Sequence, residues 1–208
     1  DYNNFTERFI YKHQVSLESL ELRRQMLEKA EDVLQVRDLV KSYPIKSNFW
    51  GKPTAYLKAV DNVSFVVKKG ETVGLVGESG CGKSTLSKAL LRLIEPDAGK
   101  VFFKGESVLD WNRKTLNKKR KEIQYIFQDP YSSLNPRHTI GYAIQEPMVV
   151  HRILPTQKQR RERVEELLEL VGLLPEHYTR YPHQFSGGQR QRICIARALS
   201  MNPEFIVC

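Results

Sequence analysis

Gly77-Glu78-Ser79-Gly80-Cys81-Gly82-Lys83-Ser84-Thr85 follows the pattern GxxxxGK[ST], with the apolar run VGLV before it and TLSKALLRLI overlapping its end. The first flank reads as a strand and the second as a helix, the setting in which such a loop wraps a phosphate. Glycines at 77, 80 and 82 let the backbone curl closely around an anion with its amide hydrogens turned inward. Lys83 would then reach β- and γ-phosphates and the Ser84 hydroxyl a Mg²⁺ ion, while the positive end of the following helix adds to the attraction. The bland alternative is a glycine-rich turn with a chance lysine, and the flanking strand and helix leave it little room.

Working outward, VLQVRDL (33–39), LKAVDNVSFVV (57–67) and ETVGLVG (71–77) read as strands, and Gly51, Pro53 and their polar neighbours make 44–56 a loop. VFFK (101–104) and IQYIF (123–127) are further strands, separated by a segment whose 112–121 portion is basic. Val164, Leu167, Leu168 and Val171 fall at i, i+3, i+4 and i+7, which predicts a helix over 158–171. A helix over 187–200 and a strand FIVC (205–208) follow. Residues 16–32 open on Ser16 and are rich in helix formers, but their leucines and Met26 do not make one apolar face, so this predicts a surface helix.

The chain has 208 residues, 40% hydrophobic and 27% charged, and its mean hydropathy is −0.47, so it can bury an ordinary core and is neither disordered nor fibrous in composition. No apolar run approaches the roughly 20 residues of a membrane helix, and the first 30 residues are charged throughout, which predicts a cytoplasmic chain. Cys81, Cys194 and Cys208 are odd in number and widely spaced, against both a zinc site and a disulfide framework. Residues 1–32 carry net −2, while 33–208 carry 28 bases against 17 acids, net +11. That excess invites a polyanion and does not choose among nucleotide, nucleic acid and anionic membrane.

A second glycine motif, Phe185-Ser186-Gly187-Gly188-Gln189-Arg190-Gln191-Arg192, opens the 187–200 helix and makes a second anion site, with a flexible helix cap as the lesser alternative when it is taken alone. With the P-loop at 77–85, Gln128 at a strand end and FSGGQ at 185–189, the sequence resembles the ATP-binding cassette family from about Val33 to Cys208. The resemblance implies an α/β fold: a P-loop NTPase (RecA-like) core with an antiparallel β subdomain and a helical subdomain over about 129–185. Residues 1–32 would be an extension. It implies ATP and Mg²⁺ as ligands and a head-to-tail pair of cassettes, each ATP lying between one P-loop and the partner's signature. Ser186, Gly187, Gly188 and Gln189 would then serve the partner's ATP, and residues 77–85, Lys83 above all, the chain's own. Gln128 would touch Mg²⁺ and the attacking water. Tyr43 stands where the family's adenine-stacking aromatic is expected, with Phe49, Trp50 and Tyr56 as competitors and a buried strand-end tyrosine as the plain alternative.

QDPYSSLNPRHTIG (128–141), RYPHQFSGGQRQRICIARAL (180–199) and the insertion PIKSNFWGKPTAY (44–56) look like the second ATPase subunit of oligopeptide, dipeptide and nickel importers. Transmembrane permease subunits, an extracytoplasmic solute-binding protein acting indirectly, and a peripheral place on the cytoplasmic face of the inner membrane are what that resemblance implies. Basic residues within 152–163 would face solvent or anionic lipid. FIVC reads as the apolar strand of the Walker B element, whose aspartate and catalytic glutamate would come next. The expectation is therefore a piece of a longer cassette whose 208 residues alone do not hydrolyse ATP, and in which the P-loop strand lacks a sheet neighbour. Two other readings are a non-catalytic nucleotide-binding remnant and a soluble cassette protein acting on nucleic acid or ribosomes. The wording of 128–141 argues against the latter.

Overall fold

Leu34 and Val36 share a face of strand β1 (Asp32–Ser47) because side chains alternate along an extended chain, and both are almost fully buried. The structure is a computed structural model and describes residues 16–47 and 53–208, without the side chains of residues 47 and 53. The chain divides into two compact units, Asp1–Leu109 and Asp110–Cys208.

In the first unit β1 pairs antiparallel with β2 (Pro53–Lys68) on one side and β3 (Ala98–Phe103) on the other, and β3 pairs with the short β4 (Glu106–Ser107), giving the order β2-β1-β3-β4. The registers Leu34 to Phe103 and Val36 to Val101 set four inward side chains together, none more than 1% exposed. Helix α1 (Leu17–Glu28) begins at Ser16, whose hydroxyl oxygen accepts from the Ser19 amide at 3.2 Å. It buries no residue, as its scattered apolar positions predict. Helix α2 (Lys83–Leu90) starts inside the glycine-rich loop 77–85, buries Leu86, Ala89 and Leu90, and packs against β1 and β2.

Two expectations are corrected here. The loop over 44–56 is strand at both ends: Pro44 pairs with Tyr56 and Tyr43 with Leu57, and only residues 48–52, with Phe49 and Trp50, lie outside the described residues. Pro44 is tolerated because the β1 to β3 pairing ends at Val40, so β1 is an edge there and a missing N–H costs no ladder bond on that side. The expected strand over 71–77 does not form. Residues 71–78 join no ladder, and Val73, Leu75 and Val76 are 49%, 50% and 93% exposed. An apolar run becomes a strand only where a neighbour takes its amides and carbonyls, and no described strand pairs with this one.

The second unit begins with a 3₁₀ turn's last residue, Asp110, and helix α3 (Arg113–Lys119), into which the basic segment folds behind the N-cap Asn112. Strand β5 (Ile123–Tyr125) pairs in parallel with β6 (Phe205–Val207), Ile123 opposite Phe205. Between them run α4 (Pro130–Ser133), α5 (Ile140–Val150), α6 (Gln157–Leu170) and α7 (Gly187–Leu199), with short 3₁₀ turns at Pro175–Thr179 and Pro182–Gln184. Val164, Leu167 and Leu168 of α6 are fully buried with Ile140, Ile144 and Met148 of α5 and Ile193, Cys194 and Ala196 of α7 in one cluster, the stripe that periodicity predicted. Burial pushes the Cys194 thiol up, so it behaves as a small apolar side chain. All three cysteines are free.

Candidate functional site

Gly82 is the residue that turns the loop into α2. Its φ of +99° is the left-handed conformation that glycine adopts without strain, and a Cβ there would fall 1.8 Å from the Ala59 carbonyl oxygen on β2. The loop end is therefore pressed against the sheet backbone. Because Gly82 has no side chain, nothing caps α2, and the amides of its first turn keep no side-chain acceptor. Gly80 is also left-handed, at φ +82°, and the Cys81 amide donates to the Glu78 carbonyl at 3.3 Å. The Lys83 ammonium turns back into the loop and donates to the carbonyls of Gly77 at 2.8 Å and Glu78 at 2.5 Å, with Cys81 Sγ at 3.5 Å. Glu78, Ser79 and Ser84 are exposed, and Thr85 is half-buried in the first turn of α2.

Tyr43, on β1 in the same unit, is 40% exposed, so the buried alternative is set aside. The Lys41 ammonium stands 5.7 Å from its ring centre. Asp97 fixes this stretch: its carboxylate accepts from Lys41 Nζ at 2.7 Å and from the Ser42 amide at 2.6 Å. The Lys41 hydrogen bond, then that of Ser42, holds the Asp97 carboxyl below its usual range.

In the second unit Ser186 is the N-cap of α7. Its hydroxyl oxygen accepts from the Gln189 amide at 3.3 Å, and Gln189 Oε1 accepts from the Ser186 amide at 3.0 Å. The Ser186 hydroxyl hydrogen remains available to donate outward. Ser186 and Gly188 are exposed, and open space lies where a Gly188 Cβ would be. Gln128 is exposed in the bend after β5. The next residue, Asp129, caps α4 by accepting from the Tyr131 amide at 2.9 Å, and hydrogen bonds from Ser132 and then Tyr131 hold its carboxyl below the usual range.

The family model described as ABC transporter matches residues 60–208. The chain belongs to the ABC transporter family. The oligopeptide transport ATP-binding protein AppF of Bacillus subtilis (strain 168) is 52% identical over 178 residues, covering 85% of this chain and 54% of that relative. The glutathione import ATP-binding protein GsiA of Escherichia coli (strain K12) is 52% identical over 186 residues, covering 89% of this chain and 30% of that relative. The chain thus spans about half of one relative's length and under a third of the other's. Among solved structures, the dimeric post-hydrolysis ATP-binding cassette MJ0796 bound to ADP and Pi superposes with a TM-score of 0.74 at 31% identity, over 83% of this chain and 72% of that one. The cassette cbiO1 from Clostridium perfringens, part of the transporter complex cbiONQ, gives 0.66 at 28% identity, over 85% and 64%.

The cassette's phosphate loop and Tyr43 belong to the first unit, and Gln128 and Ser186 to Gln189 to the second. Within the second, the segment after Gln128 meets the signature helix: the Arg190 guanidinium lies over the Tyr131 ring at 4.2 Å, and Arg197 Nη1 donates to the Ser133 carbonyl at 2.5 Å. Sequence reasoning passed over Asp97, Tyr131, Arg190 and Arg197. Only Asp129, an N-cap residue directly before a proline, carried a local signal.

Proposed function

We propose that this cassette is the ATP-binding, energy-coupling part of an importer for oligopeptides, dipeptides or a related small solute. The observation that carries the reading is Lys83, held by two neutral carbonyls at the uncapped start of α2. Phosphate oxygens carry negative charge where the two carbonyls carry none, so the ammonium gains a direct charge–charge attraction when a nucleotide's β- and γ-phosphates displace those carbonyls. The first-turn amides of α2 supply the remaining donors. Ser84 and Gln128 each carry an exposed hard oxygen donor of the kind Mg²⁺ takes, and the ion would supply positive charge against the phosphate oxygens. Among the described residues no three His, Cys, Asp or Glu side chains cluster as an alternative metal site.

Tyr43 offers its exposed ring to the adenine. Ser186, Gly187 and Gly188 address the γ-phosphate on a second cassette arranged head to tail, and Gln189 acts by fixing Ser186. The names of the oligopeptide and glutathione relatives support the import direction and solute class. Permease subunits in the membrane and a solute-binding protein outside it complete the assembly, with the cassette peripheral on the cytoplasmic face. No described helix is long and apolar enough to cross a membrane.

Vesicles holding the full-length protein with its permease subunits test this reading. Uptake of a labelled peptide should require ATP and stop with Ser186→Ala, while ATP affinity of the separated monomer stays within about twofold because Ser186 makes no contact with the chain's own ATP in this scheme. Uptake without ATP, or unchanged by Ser186→Ala, contradicts it.

A further inference from the structure

Tyr131 is 62% exposed, yet its ring lies against the Arg190 guanidinium, 4.2 Å from the ring centre. Arg190 is itself fixed, its Nε donating to the Phe185 carbonyl at 3.0 Å, so the guanidinium bridges the residue before Ser186 and the residue three beyond Gln128. Asp129 anchors the other end through the Tyr131 amide, and the Arg197 bond to the Ser133 carbonyl makes a second tie between α4 and α7.

Helix α7 does not need Tyr131 in order to form. It has a complete capping box, and Ile193, Cys194 and Ala196 seat it in the core. An exposed ring over a guanidinium adds little global stability, but it fixes one surface element against another. We infer that Tyr131 is a positioning residue: through Arg190 it locks the opening of α7, with Ser186 and Gly187, to the segment that carries Gln128. The glutamine and the signature of one cassette then move as one piece. This rests on the proposed role of Ser186 toward a partner's ATP.

The test is a double-mutant cycle in the full-length protein, reading the fraction trapped as dimer by a slowly hydrolysed ATP analogue and the turnover at saturating ATP. Tyr131→Ala should lower the dimer association constant and turnover roughly two- to fivefold, the worth of one exposed cation–π contact. ATP affinity of the monomer and melting temperature should stay at the parental values. Tyr131→Phe, which keeps the ring, should behave as the parent. Arg190→Gln should lose as much as Tyr131→Ala, and the double variant no more than either. Parental dimerisation by Tyr131→Ala, equal loss in Tyr131→Phe, or additive losses in the double variant each overturn the inference. Ser186→Ala in parallel separates the two layers: if it too dimerises and turns over as the parent does, the trans role falls and the positioning role falls with it.

Discussion

Replacing Gly82 by alanine puts a methyl group where the phosphate loop touches the sheet. The new Cβ would sit 1.8 Å from the Ala59 oxygen and 2.9 Å from its carbonyl carbon, whereas such contacts do not fall below 3.0 Å, so loop or strand must move by at least about 1.2 Å. Alanine at φ +99° adds left-handed strain of about 1–2 kcal/mol. β2 is paired with β1 along most of its length, so the loop yields and carries the first turn of α2 with it. Hydrogen bonds to charged groups contribute about 1.5–3 kcal/mol each, so misaligning two amides against a phosphate costs roughly 3 kcal/mol or more, about a hundredfold in affinity. Gly80→Ala is the control. It meets the same kind of strain at φ +82°, but nothing lies within 4 Å of its Cβ, and its loss should be about tenfold or less. Calorimetric titration of both variants with an ATP analogue, each checked for folding by circular dichroism, measures the difference. Equal losses, or a Gly82→Ala affinity within about threefold of the parent, refute the claim that the sheet backbone sets the loop's shape.

In the second unit, Gly141→Ala brings a Cβ to 2.5 Å from the Tyr178 ring, so urea unfolding should register a loss of about 1–3 kcal/mol. Ser186→Ala removes the acceptor for the Gln189 amide and should cost about 1 kcal/mol in the same assay, separately from its effect on dimerisation. Asp97 has a depressed folded-state pKa, so its ion pair and amide bond stabilise above the unfolded value of 3.8 and are lost as pH falls through the lower folded one. The stability gap between parent and Asp97→Asn should be constant above about pH 5 and close on acidification below about pH 4, as followed by denaturant midpoints; a gap that widens there contradicts the assignment.

Local chemistry made part of this molecule legible. Gly80 and Gly82 take left-handed backbone, which glycine adopts without strain, and Leu34 with Val36 or Val164 with Leu167 and Leu168 mark buried faces by period alone. The 71–77 run has the composition of a strand, but ladder pairing is supplied by other segments and is not encoded within the run. Gly51 and Pro53 suggest a loop over 44–56, but pairing along β1 and β2 carries strand in from both ends. Tyr131 against Arg190 and Asp97 against Lys41 join residues far apart in sequence, and neither partner has a local pattern that names the other.

In the proposed binding step Lys83 exchanges the Gly77 and Glu78 carbonyls for nucleotide phosphates. Calorimetric titration of the parent and of Lys83→Ala with an ATP analogue in Mg²⁺ measures that exchange. The half-buried side chain bonds only its own loop, so the variant should keep the parental circular dichroism spectrum while affinity falls by about a hundredfold or more, the loss of a charge-assisted contact to two phosphates. A folded Lys83→Ala protein that binds within about threefold of the parent would contradict the assignment of 77–85 as the phosphate site.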